Sequence, residues 1–261
     1  MTQPNCIKNM KKPFLILTAV FPILTATAAS AALYTTGHGD LGIAYDAGAF
    51  DLHVHLHSGA VVDGVALAAD DEYAPGDLHV YVPNPSVNRP ANADFAPIGV
   101  AAGQPFWFLP ATQDPAKPFF GVGAEELTAS EWTGNIQLRL MAISGSGVNA
   151  GGQVSLWNTG TFGELNFLWS SVDGLTAADT LGVIPGSHAH YNIAFTKPGF
   201  YDLTVQATGT NTVDGLVTSS ATYQFAVVNI PTPVPEPTTG LWGLVAFGFA
   251  ATSRLRRPAT V

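Results

Sequence analysis

From residue 33 onward the chain runs in short segments rich in β-branched and aromatic residues, each ending at a cluster of Gly, Pro, Asn or Asp. Apolar and polar positions alternate within the clearest of these segments. A period of two sends successive side chains to opposite faces of a strand, so the pattern predicts strands joined by turns. Ten segments qualify: 41–45, 51–57, 78–82, 106–109, 136–143, 153–157, 165–169, 190–195, 200–207 and 222–228. A helical period is nowhere sustained; Ala, Glu and Leu cluster briefly at 125–131, and 176–181 offers a second short stretch. Many strands and little helix predict an all-β, antiparallel β-sandwich of the immunoglobulin-like or Greek-key kind, with 195–205 as one of its hairpins.

Composition agrees with that class: 47% hydrophobic, 11% charged, with 27 Gly and 19 Pro in 261 residues. The ends read differently from the middle. Lys8, Lys11 and Lys12 precede an apolar run at 14–24 and a small-residue stretch at 26–32, the layout of a secretory signal peptide. Cleavage fits after Ala29-Ser30-Ala31, with Ala26-Thr27-Ala28 as a competing site, so residues 1–31 are set aside. Cys6 leaves with them, and the exported unit 32–230 then has neither disulfides nor thiolate ligands. Residues 231–261 form a separate tail. The proline-rich 231–237 is extended and solvated, the apolar run 240–251 is shorter than the ~20 residues a membrane span needs, and Arg254, Arg256 and Arg257 follow. A sharper split of the middle near 149–152 is disfavoured, because it would separate two histidine clusters that have reason to meet.

Between residues 32 and 230, 18 Asp and Glu face four basic residues (Arg89, Lys117, Arg139 and Lys197), a formal charge of −14. Such a unit repels nucleic acid and attracts cations. Six of the seven histidines fall into three clusters: His38; His53, His55 and His57; and His188 with His190. In Leu52-His53-Val54-His55-Leu56-His57 the apolar positions point to a core and the imidazoles to the opposite face. Two imidazoles at i and i+2, about 6.6 Å apart, make half of a metal site, and neutral imidazole is the commonest protein ligand of Zn²⁺. His53 and His55 with His188 and His190 would supply four nitrogens if their strands meet, and His38 is a fifth candidate. His57 is taken as spare, since three alternates span about 13 Å and Ser58-Gly59 begins a turn. His79 is isolated and read as structural or solvent-facing.

Other chemistry finds less support. The His-x-His lacks the downstream Glu of a cupin motif, and there is no Gly-x-Ser-x-Gly, His-Glu-x-x-His or phosphate-binding glycine loop. A zinc hydrolase would need a carboxylate base beside an open coordination position, for which Asp40 is the nearest candidate in sequence. Asp70-Asp71-Glu72 lacks calcium-loop spacing and reads as a solvated turn. Phe106-Trp107-Phe108, Trp132, Trp157 and Trp169 could stack on sugars if exposed, but their alternation reads as core.

Two resemblances sharpen these expectations. Val234-Pro235-Glu236-Pro237, the short apolar run and the terminal arginines resemble the PEP-CTERM tail, which implies processing by an exosortase-type sorting enzyme and transient membrane anchoring at the cell surface. Gly37-His38-Gly39-Asp40-Leu41-Gly42-Ile43-Ala44-Tyr45, followed by Leu52-His53-Val54-His55, resembles bacterial surface proteins with a choice-of-anchor M domain. So does the run 184–201, in which His188-Ala189-His190 precedes a strand and the turn Pro198-Gly199-Phe200. Gly99-Val100-Ala101-Ala102-Gly103-Gln104, Trp107-Phe108-Leu109-Pro110 and Ser155-Leu156-Trp157 are similar to the PEP-CTERM branch of that family, whose members are associated with repression by the zinc-uptake regulator. By motif position the resemblance implies His38, His53, His55, His188 and His190 as metal ligands. Ile193 departs from it where an aromatic residue is expected. The reading that follows is a non-catalytic, exported zinc-binding protein that captures or buffers scarce zinc for an uptake system. The alternatives are a structural protein of an extracellular polysaccharide matrix and a zinc-dependent hydrolase.

Overall fold

The computed structural model describes residues 31–83 and 87–227. The signal peptide and the sorting tail expected from the sequence lie outside these residues. In chain order the described strands are β1 (Ala32–Asp46), β2 (Ala49–Leu56), β3 (Val61–Val62), β4 (Val65–Ala66), β5 (Asp71–Tyr73), β6 (Leu78–Tyr81), β7 (Val87–Asn88), β8 (Pro105–Leu109) and β9 (Pro118–Gly123). The chain continues through β10 (Ile136–Ser144), β11 (Val154–Thr159), β12 (Leu165–Ser170), β13 (Thr180–Val183), β14 (His188–His190), β15 (Asn192–Phe195), β16 (Gly199–Asn211) and β17 (Gly215–Val227).

Alternation explains the long strands. Along β16, Tyr201, Leu203, Val205 and Ala207 are buried while Asp202, Thr204, Gln206 and Thr208 face outward. Its partner β17 buries Tyr223 and Phe225, and the two pair antiparallel along their full length. The larger sheet runs β13-β10-β16-β17-β6-β1-β2-β5, with β9 and β14 attached to the other side of β1; the smaller runs β12-β11-β15-β8-β7. The fold is therefore an all-β sandwich. It is antiparallel except where β6 lies parallel to both β1 and β17, and β9 parallel to β1.

One core, including Phe120, Leu156, Trp169, Phe195, Tyr201, Tyr223 and Phe225, takes side chains from both sheets. Each large apolar side chain removed from water contributes about 1.5–3 kcal/mol. The Tyr201 hydroxyl donates to the Lys197 carbonyl, 2.8 Å away and four residues upstream, the tyrosine-corner contact of immunoglobulin-like sandwiches. Trp132, Trp157 and Trp169 are buried, as their alternation predicts.

Strand β1 positions the histidines. Ala32–Tyr34 pairs with β6, the register slips between Tyr34 and Thr36, and Gly37 takes φ +98°. A side chain there would run into the Ala60 backbone, so only glycine turns this corner. Beyond it β1 lies between β2 and β9.

Three expectations change. Strand β9 was not foreseen, because Pro118, Gly121 and Gly123 give it the composition of a turn. The 125–131 stretch keeps only a 3-10 turn, Ala129–Glu131, and 176–181 is a turn leading into β13. The carboxylate of Asp179 holds that turn by accepting from the N–H of Thr176 and of Ser170.

Candidate metal centre

Register brings the three histidine clusters onto one face. Asp40 of β1 lies opposite His55 of β2 and Gly121 of β9; His55 in turn faces Glu72 of β5, and Gly121 faces His190 of β14. Five adjacent strands thus set Glu72, His55, Asp40, Gly121 and His190 in one row. Two positions along, Gly42 pairs with both His53 and Gly123, and Gly123 with His188. On the other flank His38 pairs with Phe119, and the His57 N–H donates to the His38 carbonyl at 3.0 Å. Residues two apart share a face, so all six imidazoles converge.

Glycines make the room. A Cβ at Gly42 would collide with the His53 ring, and one at Gly121 would strike the Asp40 carboxylate and come within 2.9 Å of His190 Nδ1. The face is a shallow trough whose floor is bare backbone and whose sides are imidazoles.

Within it the donor atoms are close. His38 Nε2 lies 3.1 Å from His190 Nε2 and 3.3 Å from Asp40 Oδ2. His57 Nε2 is 3.5 Å from the same Asp40 oxygen, and its Nδ1 is 3.5 Å from Asp70 Oδ2. His53 Nε2 is 3.0 Å from Glu126 Oε1, and His55 Nδ1 lies 3.7 Å from Glu72 and 3.9 Å from Glu126. His188 Nδ1 meets Glu125 Oε1 at 2.5 Å. The rings of His38 and His57 stack at 4.0 Å, and Phe119 stacks on His190 at 3.5 Å.

Four groups each gather three or four possible ligand atoms within 4.8 Å of one another: His38, His188 and His190; His53, His55, Glu72 and Glu126; His38, Asp40 and His57; and His55, His57 and Asp70. Ligands around a tetrahedral zinc stand about 3.3 Å apart, so a small inward movement closes any of these sets. The clustered His, Asp and Glu side chains can hold a metal ion.

Electrostatics favour that use. Asp40 is 1% exposed, yet neither carboxylate oxygen has a hydrogen bond; both ring nitrogens of buried His53 likewise lack one, although Glu126 Oε1 is 3.0 Å from Nε2. Buried polar groups are normally satisfied, and Asp179 shows how: its carboxylate takes two backbone N–H donors and the Thr176 hydroxyl. What surrounds Asp40 is imidazole and glycine, an environment that a cation completes. Burial pushes the His190 imidazole down to about 4, with Asp40 opposing and His38 and His188 reinforcing the shift, so it is neutral and ligand-ready at neutral pH. Asp70 is held below the usual carboxylate range first by the Ser58 N–H, at 2.8 Å, and then by the His57 and His55 imidazoles. A cavity of about 50 Å³ lies among Asp40, Gly42, His55, Gly123, Glu125 and Glu126, enough for an ion and a few waters.

All five ligand candidates from the sequence, His38, His53, His55, His188 and His190, stand in this trough. The structure groups His188 and His190 with His38, and His53 and His55 with Glu72 and Glu126. His57, taken as spare, belongs to two groups, because the chain continues extended past Leu56 and stacks its ring on His38. Asp70-Asp71-Glu72, expected as a solvated turn, instead leads into edge strand β5 and brings Asp70 and Glu72 into these groups; Glu126, carried in by a connecting loop, was missed. His79 stands apart against Phe200.

No family model matches this chain, and no curated protein or solved structure matches it either.

Proposed function

We propose that this is an exported, cell-surface zinc-binding protein that captures or buffers scarce zinc for an uptake system, without catalysis. The observation that carries the reading is Asp40, a buried carboxylate with no hydrogen bond, set among imidazoles on a glycine floor. Imidazole-rich donor sets favour Zn²⁺ over Ca²⁺ and Mg²⁺, which prefer oxygen. The resemblance to the choice-of-anchor M family, and to its branch linked to zinc-dependent repression, points to service under zinc limitation. The PEP-CTERM-like tail suits a sorting enzyme of the exosortase type and display at the surface.

A hydrolase fits less well: Asp40, its candidate general base, is 1% exposed and lies below the surface a substrate reaches. For the matrix-protein reading, Trp132, Trp157 and Trp169 are buried, which leaves half-buried Trp107 and Phe108 as its sugar-stacking candidates.

The test is equilibrium dialysis of the full chain against Zn²⁺, Ca²⁺ and Mg²⁺, paired with radioactive zinc uptake by zinc-starved cells with and without the gene. Zinc retained against millimolar calcium, with uptake reduced in cells lacking the gene, is the expected result. No zinc binding beyond that of free imidazole, or unchanged uptake, would overturn the corresponding half of the proposal.

A further inference from the structure

The trough is wider than one ion requires. Its outer strands β14 and β2 are separated by β9 and β1, about 14 Å at the usual spacing of ~4.8 Å per strand, so one ion cannot be held by both. Of the four ligand groups, the two that lie farthest apart across the strands share no residue: His38, His188 and His190 on the β1–β14 side, and His53, His55, Glu72 and Glu126 on the β2–β5 side. The other two overlap with these through His38 and His55 and with each other through His57.

We infer that the protein holds two divalent transition-metal ions at once, in two chemically different sites: a tri-imidazole site at β1–β14 and a mixed imidazole–carboxylate site at β2–β5. The inference rests on the metal-binding reading above and extends it to number and kind.

Each half carries its own sign of a missing cation. On the first side it is Asp40, 1% exposed and unpaired, with His38 Nε2 at 3.3 Å. On the second it is His53, 4% exposed, whose ring nitrogens make no hydrogen bond although Glu126 Oε1 is 3.0 Å from Nε2. The distance is short enough and the angle is wrong for N–H donation, so the two groups converge on a common point without bonding each other. The cavity lined by His55 and Glu126 adjoins that point and extends to Asp40. Charge is adequate for two ions: Asp40, Asp70, Glu72, Glu125 and Glu126 all border the trough, against a total of 4+ for two divalent ions. His57, between Asp40 and Asp70, stands between the two sites as a ligand that either ion can share.

The chemistry of the two sets differs. Three imidazoles with the Asp40 carboxylate nearby make a nitrogen-rich site of high zinc preference. Two imidazoles with two glutamates make a harder, more anionic site that Co²⁺ and Mn²⁺ also enter.

The experiment is titration of the full chain with Zn²⁺ and with Co²⁺, reading stoichiometry by calorimetry and by elemental analysis after gel filtration, and site identity from cobalt absorption bands. The variants are His188→Ala/His190→Ala for the first site and Glu72→Gln/Glu126→Gln for the second. Both glutamates are exposed, so the second variant folds whatever their role. Two equivalents in the wild type are expected, each variant keeping one, with the two retained cobalt spectra distinct. One equivalent in the wild type, or loss of both ions in the glutamine variant, overturns the two-site inference and leaves metal binding standing. No equivalents at all overturns the metal-binding reading itself.

Discussion

Asp40→Asn should make the metal-free protein more stable and the zinc-loaded protein gain less. A buried acceptor left without a hydrogen bond costs about 1–3 kcal/mol, more when charged. Both Asp40 oxygens are in that state, with His38 Nε2 and His57 Nε2 at 3.3 and 3.5 Å from Oδ2. Asparagine keeps the shape, removes the charge, and brings an amide N–H that an imidazole nitrogen can accept. Relief of about 2 kcal/mol raises Tm by about 4–8 °C, at roughly 2–4 °C per kcal/mol for a folded unit of this size. Zinc binding then suffers. Removing a carboxylate beside the ligands weakens affinity by about 10–100-fold, which is about 1.4–2.7 kcal/mol of lost ligand stabilisation. The assay is differential scanning calorimetry at pH 8, where imidazoles are neutral, with EDTA and with excess zinc. The signature is a higher Tm without metal together with a smaller zinc increment. A metal-free variant less stable than wild type would show that the protein itself satisfies Asp40, and equal increments would remove Asp40 from the site; either result refutes the reasoning.

Gly121→Ala should cost about 1–3 kcal/mol and abolish zinc binding at the β1–β14 side, because the new methyl meets Asp40, the Ala189 carbonyl at 2.8 Å and His190 Nδ1 at 2.9 Å. Thermal melts and zinc titration check both, and unchanged binding would mean that glycine there is not a spatial requirement. His79 provides a pH prediction away from the metal. Burial lowers its folded pKa beneath the ordinary value near 6.5, with Asp202 opposing. Its stabilising share is therefore complete above about 6.5 and is lost as pH falls through the lowered folded value, because the unfolded chain takes up a proton first. His79→Gln should lose less Tm than wild type between pH 7.5 and 5.5 in EDTA; parallel slopes would contradict this.

The sandwich was legible because most of its strands bury one face only, and alternation at Tyr201, Leu203 and Val205 or at Leu52, Val54 and Leu56 states which face. The imidazole face of β2 followed from the same rule. What alternation cannot state is pairing. Nothing local says that β9 lies between β1 and β14, and its glycines read as a turn although they are the floor of the trough. Glu72 was dismissed as a solvated turn and Glu126 went unremarked for the same reason: acidic residues on a short edge strand or in a loop look like solvated surface until their neighbours are known. His57 was set aside from a straight-strand estimate, whereas ring stacking on His38 draws it inward. The split of the five predicted ligands between two sides of β1 likewise depends on strand order.

Strand β9, threaded between the two histidine-bearing halves, also fixes when the trough can exist. His38 and His190 touch across 152 residues of chain, and β9 must be seated between β1 and β14 before they do. Contacts of such long range form late in folding. If the tri-imidazole set is absent from the folding transition state, a metal ion bound there would slow unfolding without speeding folding. His53, His55 and His57 are contiguous and can seize an ion in the unfolded chain, where it would hold the segment before β2 has found its partners. On the metal-binding reading, metal supplied before the strands pair would be an obstacle, and metal supplied afterwards a clasp.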